Sequence, residues 1–200
     1  MNPDQKKQYF IALVPPSPVY EEAQALKELF RDRYHTRGAL KSPPHITLHM
    51  PFLWHEQKEE HLVNALRSFA VDRDPIKVCL DNFSSFPPKV IFLRVAESDV
   101  LKQLQQDLHE FCQRNLNIFN ARYKDRPFHP HLTVAFRDLK KPQYEKAWKE
   151  FAGQEYKAEF TADRMVLLKH NGQSWKVHAE LPFHATYSTE EDPQLDTTEG

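Results

Sequence analysis

The sequence predicts an α+β fold of two lobes related by a pseudo-twofold axis, each with a mostly antiparallel sheet and flanking helices, around a central cleft. Three observations lead to this prediction. The order strand, helix, strand, helix, strand occurs twice along the chain, and the middle strand begins both times with a His-x-Thr-x motif. Of the 200 residues, 40% are apolar, which is enough for one substantial core or two small lobes. We expect residues 8–184 to form one bilobal domain and the acidic tail, residues 185–200, to be disordered.

The elements of the first half are marked by hydrophobic periodicity and by proline. They are a strand over 9–14, a helix over 19–34, the motif strand from 45, a second helix over 57–70 and a third strand over 76–83. In the first helix, a stripe of Leu26, Leu29, Phe30 and Arg33 is expected to face the core.

The second half repeats this order and adds closing strands. Its elements are a strand over 90–95, a helix from 99 after the N-cap Ser98, the motif strand from 131 and a helix that begins near Pro142. Three closing strands are predicted over about 156–162, 164–170 and 174–183. Asn171-Gly172 predicts a type I′ hairpin turn between the last two strands.

Composition limits the classes of function. The formal net charge of −1 provides no general basic field for nucleic acid, so such a ligand would have to be held locally. Two cysteines, Cys79 and Cys112, lie in apolar segments and form neither a disulfide framework nor a spaced metal motif. The first apolar run is too short for a signal peptide or a membrane span. We therefore expect a cytoplasmic monomer that does not bind membranes.

The repeated motif is the strongest functional signal in the chain. Its two copies are His45-Ile46-Thr47-Leu48 and His131-Leu132-Thr133-Val134, each preceded by proline. Because residues i and i+2 of a strand point to one face, each histidine projects with its threonine while the apolar residues face the core. We expect His45 and His131 to face one another across the cleft, with one threonine beside each.

Two imidazoles and two hydroxyls around one phosphorus are sufficient for metal-free phosphodiester chemistry. In-line displacement requires a base on one side and an acid on the other, and histidine serves as either near neutral pH. The hydroxyls of Thr47 and Thr133 can donate to the non-bridging oxygens, where negative charge accumulates. This apparatus suits a strained cyclic phosphate, and the residues do not indicate which histidine is the base.

The paired motifs, the preceding prolines and the order of elements resemble the two-histidine (2H) phosphoesterase superfamily, over about residues 8–184. The branch that is most similar contains the 2′-5′ RNA ligase-like proteins, also described as RNA 2′,3′-cyclic phosphodiesterases. The resemblance implies that His45 and His131 are the catalytic pair and that Thr47 and Thr133 hold the phosphate. It also implies that the substrate is an RNA terminus or a small cyclic nucleotide. Because no motif in the chain offers a cluster of carboxylates or thiolates, we expect that no cofactor or metal is required.

The chain departs from many members of that family at the position five residues after the second histidine. The family often has arginine there, whereas this chain has Phe136, followed by Arg137. Lys124 and Arg126 are candidate substitutes for contact with the substrate, as is Arg122. His49 is a further candidate, because regular alternation would place it on the face of His45 and Thr47.

Two other classes of function fit the same residues. One is a non-catalytic module that binds an RNA end or a nucleotide in this pocket. The other is a metal site built from His45, His49, His129 and His131, although no carboxylate or thiolate accompanies these histidines. Turnover of a 2′,3′-cyclic nucleotide in the presence of EDTA would separate these two hypotheses from the phosphodiesterase.

Overall fold

The computed structural model describes residues 5–119 and 127–184. Its strands are β1 (Lys6–Leu13), β2 (Ile46–His55), β3 (Ile76–Phe86), β4 (Val90–Val95), β5 (His131–Ala135), β6 (Lys157–Ala162), β7 (Arg164–His170) and β8 (Trp175–Pro182). Its helices are α1 (Val19–Tyr34), α2 (Glu59–Ala70), α3 (Asp99–Leu116) and α4 (Lys141–Phe151). Short 3₁₀ turns cover Gly38–Lys41 and Glu56–Lys58. The repeated order of elements that the sequence predicted is present, whereas the predicted acidic tail lies outside the described residues.

All the strand pairs in the sheet are antiparallel, and they form the order β6-β3-β4-β5-β2-β1-β7-β8. The predicted α+β class with an antiparallel sheet architecture and flanking helices is therefore confirmed. One detail requires correction, because the two predicted sheets are joined into one. Within the described chain, β2 and β5 pair at one position only, Ile46 opposite Leu132. Each side of this junction contains four strands.

Neither side of the junction is built from one half of the chain. Strand β3, which completes the first half in sequence, pairs with β4 and β6 of the second half. Strand β7, from the second half, pairs with β1. The tight connection between β3 and β4 around Pro87-Pro88 explains the first exchange, because a short hairpin connection makes neighbouring strands antiparallel partners. Hydrophobic periodicity does not show which strands pair.

The helices cover one face of the sheet. Helix α1 contacts β5 and β6, α3 contacts β2, and α2 contacts β7 and β8. The apolar residues of both motifs belong to this core, as predicted: Ile46, Leu48, Leu132 and Val134 are all buried. In the described ranges, no helix is both long enough and apolar enough to cross a membrane.

The buried stripe of α1 differs from the prediction. It consists of Val19, Ala23, Lys27, Phe30 and Tyr34. Leu26 and Leu29 are only partly buried, and Arg33 is exposed, where it pairs with Glu150. The buried side chain of Lys27 was not anticipated, because lysine is seldom fully buried without a charged partner.

Two local predictions have different outcomes. Ser98 caps α3 as predicted, since its Oγ accepts a hydrogen bond from the Leu101 N–H at 3.2 Å. The type I′ turn at Asn171-Gly172 is wrong. That turn needs positive φ at both central residues, whereas here Gly172 has a φ of +97° and Asn171 is not among the residues with positive φ. Instead, the Asn171 side chain accepts hydrogen bonds from the N–H groups of Gln173 and Ser174.

Candidate active site

The junction between β2 and β5 brings the two motifs together. Because Ile46 and Leu132 point into the helical core, the residues on either side of them point to the opposite face. The antiparallel register places Thr47 beside His131 and His45 beside Thr133 across the strand pair. The two histidines are then diagonal neighbours, an arrangement in which Cα atoms lie roughly 7–8 Å apart and Cβ atoms somewhat closer. Each of the four polar residues is half-buried.

Each histidine is fixed by the same hydrogen bond. The Nδ1 atom of His45 lies 2.8 Å from the carbonyl oxygen of Pro43, and that of His131 lies 2.7 Å from the carbonyl oxygen of His129. A carbonyl oxygen can only accept, so Nδ1 carries the proton in both rings. In a neutral imidazole the other nitrogen, Nε2, then holds a free lone pair. Each ring therefore presents Nε2 as the atom that can accept a proton.

Aromatic rings surround both imidazoles. The His45 ring lies 4.9 Å from the ring of Phe10, which also contacts Trp175 at 4.7 Å. The His131 ring lies 4.9 Å from Phe92 and 5.4 Å from Phe86. Phe86 is 44% exposed, so an aromatic surface beside His131 is open to solvent. These contacts fix the two imidazoles and exclude water from their sides.

Both imidazoles titrate below the ordinary range. Burial lowers the pKa of His45 to about 4 against the opposing effect of the Pro43 carbonyl, and the charges of Lys27 and His131 lower it further. Burial also lowers the pKa of His131, opposed by the His129 carbonyl, and the charge of the His129 imidazole lowers it further. Both rings are therefore neutral at pH 7 in the free protein. An anionic ligand between them would favour the charged form of either ring.

Arg94 is a site residue that the sequence reasoning missed. It lies on β4 directly opposite His131, and Phe92 lies opposite Thr133, so these four side chains share one face. The Arg94 side chain is exposed and forms an ion pair with Asp81. Alternation along residues 90–95 would have placed Phe92 and Arg94 on one face. The sequence does not show, however, that this strand is the neighbour of β5.

His49 does not belong to the site, and the prediction that it shares the face of His45 and Thr47 is wrong. The register with β1 shifts between Thr47 and His49, which lie opposite Ala12 and Ile11, so an extra residue interrupts the alternation. The His49 side chain is 2% exposed and stacks on His109 of α3, with ring centroids 5.8 Å apart. It therefore faces the helices rather than the face that carries His45.

The structure does not describe the three cationic residues that the sequence offers in place of the family's arginine. Lys124, Arg126 and Arg122 lie outside the described residues. Arg137 follows the end of β5 with a φ of +65°, and its guanidinium lies 5.1 Å from the centre of the Phe136 ring. In the described part of the chain, Arg94 is thus the cationic side chain that the strand register places next to a motif residue.

The four-histidine metal site loses one of its proposed ligands, because His49 faces the helices. Over residues 5–119 and 127–184, no group of three or more histidine, cysteine, aspartate or glutamate side chains is placed to hold a metal ion. The geometry instead favours direct acid–base chemistry by His45 and His131.

Asp138 connects the segments that lead to and from the two motifs. Its carboxylate accepts hydrogen bonds from the Thr36 hydroxyl at 2.6 Å and from the N–H groups of Arg37 and Gly38 at 2.8 and 3.0 Å. Burial alone would raise the pKa of Asp138, but these bonds outweigh it and the pKa is lowered. The loop before His45 is thereby tied to the segment after β5.

Known proteins are similar to this chain in sequence. The sequence profile of the 2′-5′ RNA ligase superfamily matches residues 15–174. A protein of Geobacillus kaustophilus, whose name assigns it provisionally to the phosphoesterases, is 34% identical over 174 residues, covering 85% of this chain and 92% of its own. A similar protein of Oceanobacillus iheyensis is 29% identical over 176 residues, covering 85% and 94%.

Solved structures share the fold at low sequence identity. The protein TT0787 of Thermus thermophilus superposes with a TM-score of 0.65 at 18% identity, covering 90% of this chain and 100% of its own. LigT of Escherichia coli in complex with 3′-AMP gives a TM-score of 0.61 at 18% identity, with the same coverage. The chain therefore belongs to the 2′-5′ RNA ligase superfamily, the family of two-histidine phosphoesterases that its paired motifs resemble.

Proposed function

We propose that this protein is a metal-independent phosphodiesterase that hydrolyses the 2′,3′-cyclic phosphate of an RNA end or of a nucleotide. The observation that carries the proposal is the matched pair of histidines, each fixed through Nδ1 with Nε2 free, on opposite sides of one strand junction. This arrangement supports a mechanism in which one histidine acts as base and the other as acid on a single phosphorus. Its membership in a phosphoesterase family supports the same reaction class.

The reaction proceeds by proton transfer at two nitrogens. Nε2 of one histidine takes a proton from water as the water oxygen bonds to phosphorus. The bond from phosphorus to one ribose oxygen breaks, and the second histidine, protonated at Nε2, gives its proton to that oxygen. The product is a ribose phosphomonoester with a neighbouring hydroxyl. A 5′-hydroxyl of RNA in place of water would give ligation at the same site.

Two features favour a nucleotide over a small cyclic phosphate. Phe86 beside His131 and Trp175 beside Phe10 present aromatic surfaces near the two histidines. Stacking of a base on an aromatic ring contributes about 1–3 kcal/mol. Escherichia coli LigT, which shares the fold, has been solved with 3′-AMP, so nucleotides are the first ligands to test.

The test is turnover of 2′,3′-cyclic AMP and of an RNA oligomer ending in a cyclic phosphate, with and without EDTA. We expect hydrolysis of both at rates that EDTA does not change. Loss of activity in EDTA that a divalent ion restores would contradict the metal-free mechanism. Saturable binding of 3′-AMP without turnover of either substrate would instead identify a binding module. A second oligomer with a free 5′-hydroxyl in the same assay tests for 2′-5′ ligation.

The motif threonines should contribute to rate through the hydrogen bonds they donate. Thr47→Val and Thr133→Val keep the branched shape but remove the hydroxyl. We expect each to lower kcat/KM by about 1–3 kcal/mol of transition-state stabilisation, or roughly 5- to 150-fold. Thr161→Val, at an exposed position of β6 in the same sheet, is the matched control and should leave kcat/KM unchanged. Unchanged kcat/KM in both motif variants would exclude the threonines from phosphate binding.

Arg94 should contribute to substrate binding because it lies opposite His131 on the site face, where its guanidinium can exchange Asp81 for an anionic substrate. We expect Arg94→Met to raise KM several-fold with a smaller change in kcat, as for an interaction made equally in the ground and transition states. The control is Arg164→Met on β7, since Arg164 also pairs with carboxylates but its strand does not adjoin β2 or β5. Equal KM values for the two variants would show that Arg94 serves only its ion pair with Asp81.

A further inference from the structure

Lys27 is a buried cation outside the two motifs. It lies on α1 and is 1% exposed, and its Nζ donates a hydrogen bond to the Ser42 carbonyl oxygen at 3.0 Å. Across the described ranges, no carboxylate lies within ion-pair distance of this ammonium, as would be usual for a buried charge. A charged group retained without a counter-ion requires an explanation other than an ion pair.

The hydrogen bond of Lys27 connects it to the orientation of His45. Its acceptor, Ser42, is followed directly by Pro43, whose carbonyl oxygen holds Nδ1 of His45. Helix α1 thus fixes the turn that sets the tautomer and direction of the His45 ring. The corresponding helix of the second half is α3, which packs on β2 as α1 packs on β5. It has no buried equivalent of Lys27, because its buried stripe is apolar throughout: Leu101, Leu104, Leu108, Cys112 and Leu116.

We propose that Lys27 is a positioning residue that holds the turn before His45 and, through its charge, makes His45 rather than His131 the histidine that starts neutral and accepts the proton. The proposal rests on the proposed phosphodiesterase function and assigns the two roles that matching motifs leave open. A cation near an imidazole disfavours its protonated form. The cation opposite His131, Arg94, is exposed and paired with Asp81, whereas Lys27 is buried without a counter-ion among the described residues and therefore acts more strongly on His45.

The electrostatic surroundings are consistent with this assignment. The charges that act on His45 are those of Lys27 on α1 and His131 on β5. Burial lowers the pKa of Lys27 to about 7, so its ammonium is charged over the acidic range in which His45 titrates. On the other elements that pack against α1, the titratable side chains are either exposed or bonded elsewhere: Lys41 and Lys157 are exposed, Tyr144 bonds Ser85, Glu150 bonds Arg33 and Tyr34, and Glu159 pairs with Lys77.

The first test is the pH profile of kcat/KM for 2′,3′-cyclic AMP in Lys27→Met, which keeps a long buried side chain without the charge. Removing the cation should raise the pKa of His45, so the acidic limb should move to higher pH. We expect a shift of about half a unit, since a like charge moves a pKa by on the order of one unit at close range and less at greater distance. Leu108→Met is the control for repacking a buried helix position and should not move the limb. Lys27→Arg, which retains the charge, should keep the limb near its original position.

A folded Lys27→Met variant with lower activity but an unmoved acidic limb would overturn the proposal, because the lysine would then act only through packing. Equal shifts in Lys27→Met and Leu108→Met would overturn it as well.

The second test requires neither a Lys27 variant nor turnover. Nitrogen-15 NMR of the histidine rings, assigned with His45→Gln and His131→Gln, reports the protonation of each ring as the pH falls. We expect His45 to remain neutral to lower pH than His131. The reverse order, or coincident titrations, would overturn the assignment. If the order is as expected but no cyclic phosphate is hydrolysed, the proposed function fails while the assignment of His45 as the ring that stays neutral stands; the effect of Lys27 on that ring is tested by the Lys27→Met profile.

Discussion

His45→Ala and His131→Ala should each abolish most turnover of a 2′,3′-cyclic nucleotide. Each substitution removes one of the two proton-transfer groups, and such a group contributes typically about 10²- to 10⁴-fold. The double variant should lose little beyond either single variant, because base and acid act on the same displacement and their effects are not additive. The measurement is kcat/KM for 2′,3′-cyclic AMP with all variants at equal concentration.

The pH dependence of the wild-type rate provides a second measurement of the same mechanism. The wild-type profile of kcat/KM should be bell-shaped, with both limbs belonging to the coupled pair. His61→Ala, on the exposed face of α2, is the control for a histidine away from the junction and should retain full activity. Near-normal turnover in either single variant at the junction would rule out the two-histidine mechanism.

Gly38→Ala should destabilise the fold and disturb the site. A Cβ atom at this position would lie 2.3 Å from the Phe136 carbonyl oxygen and 3.0 Å from Oδ1 of Asp138. The closest atom belongs to the backbone and cannot rotate away, so the two segments must separate. We expect a loss of about 1–3 kcal/mol in the free energy of unfolding, as for an overpacked contact. Urea denaturation measures this loss.

The same substitution should also lower kcat/KM. The Gly38 loop leads to His45 and Phe136 follows the strand of His131, so separating them moves the two motif segments apart. A displacement of about 1 Å can cost on the order of 100-fold in rate. Gly153→Ala is the matched control, because nothing lies within 4 Å of its added Cβ, and it should change stability by less than about 0.5 kcal/mol. Equal stabilities of the two variants would show that the Gly38 segment relaxes freely.

The sequence by itself determined the class of fold, the order of elements and the faces of the two motifs. Strand alternation was sufficient to separate His45 and Thr47 from Ile46 and Leu48, because apolar side chains at every second position of a strand mark the face that is buried. The same holds for the motif of β5. Local chemistry also determined the cap at Ser98, where a hydroxyl can satisfy a free N–H of the first helical turn.

Only the tertiary structure decided which strands and helices meet at the site. The exchange of β3 and β7 between the two sides of the sheet depends on pairing, which periodicity does not encode. One extra residue between Thr47 and His49 moved the His49 side chain to the other face, because side chains alternate with a period of two and a one-residue shift reverses them. Arg94 lies opposite His131 on a neighbouring strand, and Lys27 reaches the turn before His45 from a packed helix. Both are arrangements of residues that are distant in sequence. A pattern within one segment determines which face is buried, but the partner that covers or adjoins that face is set by the packing of the whole chain.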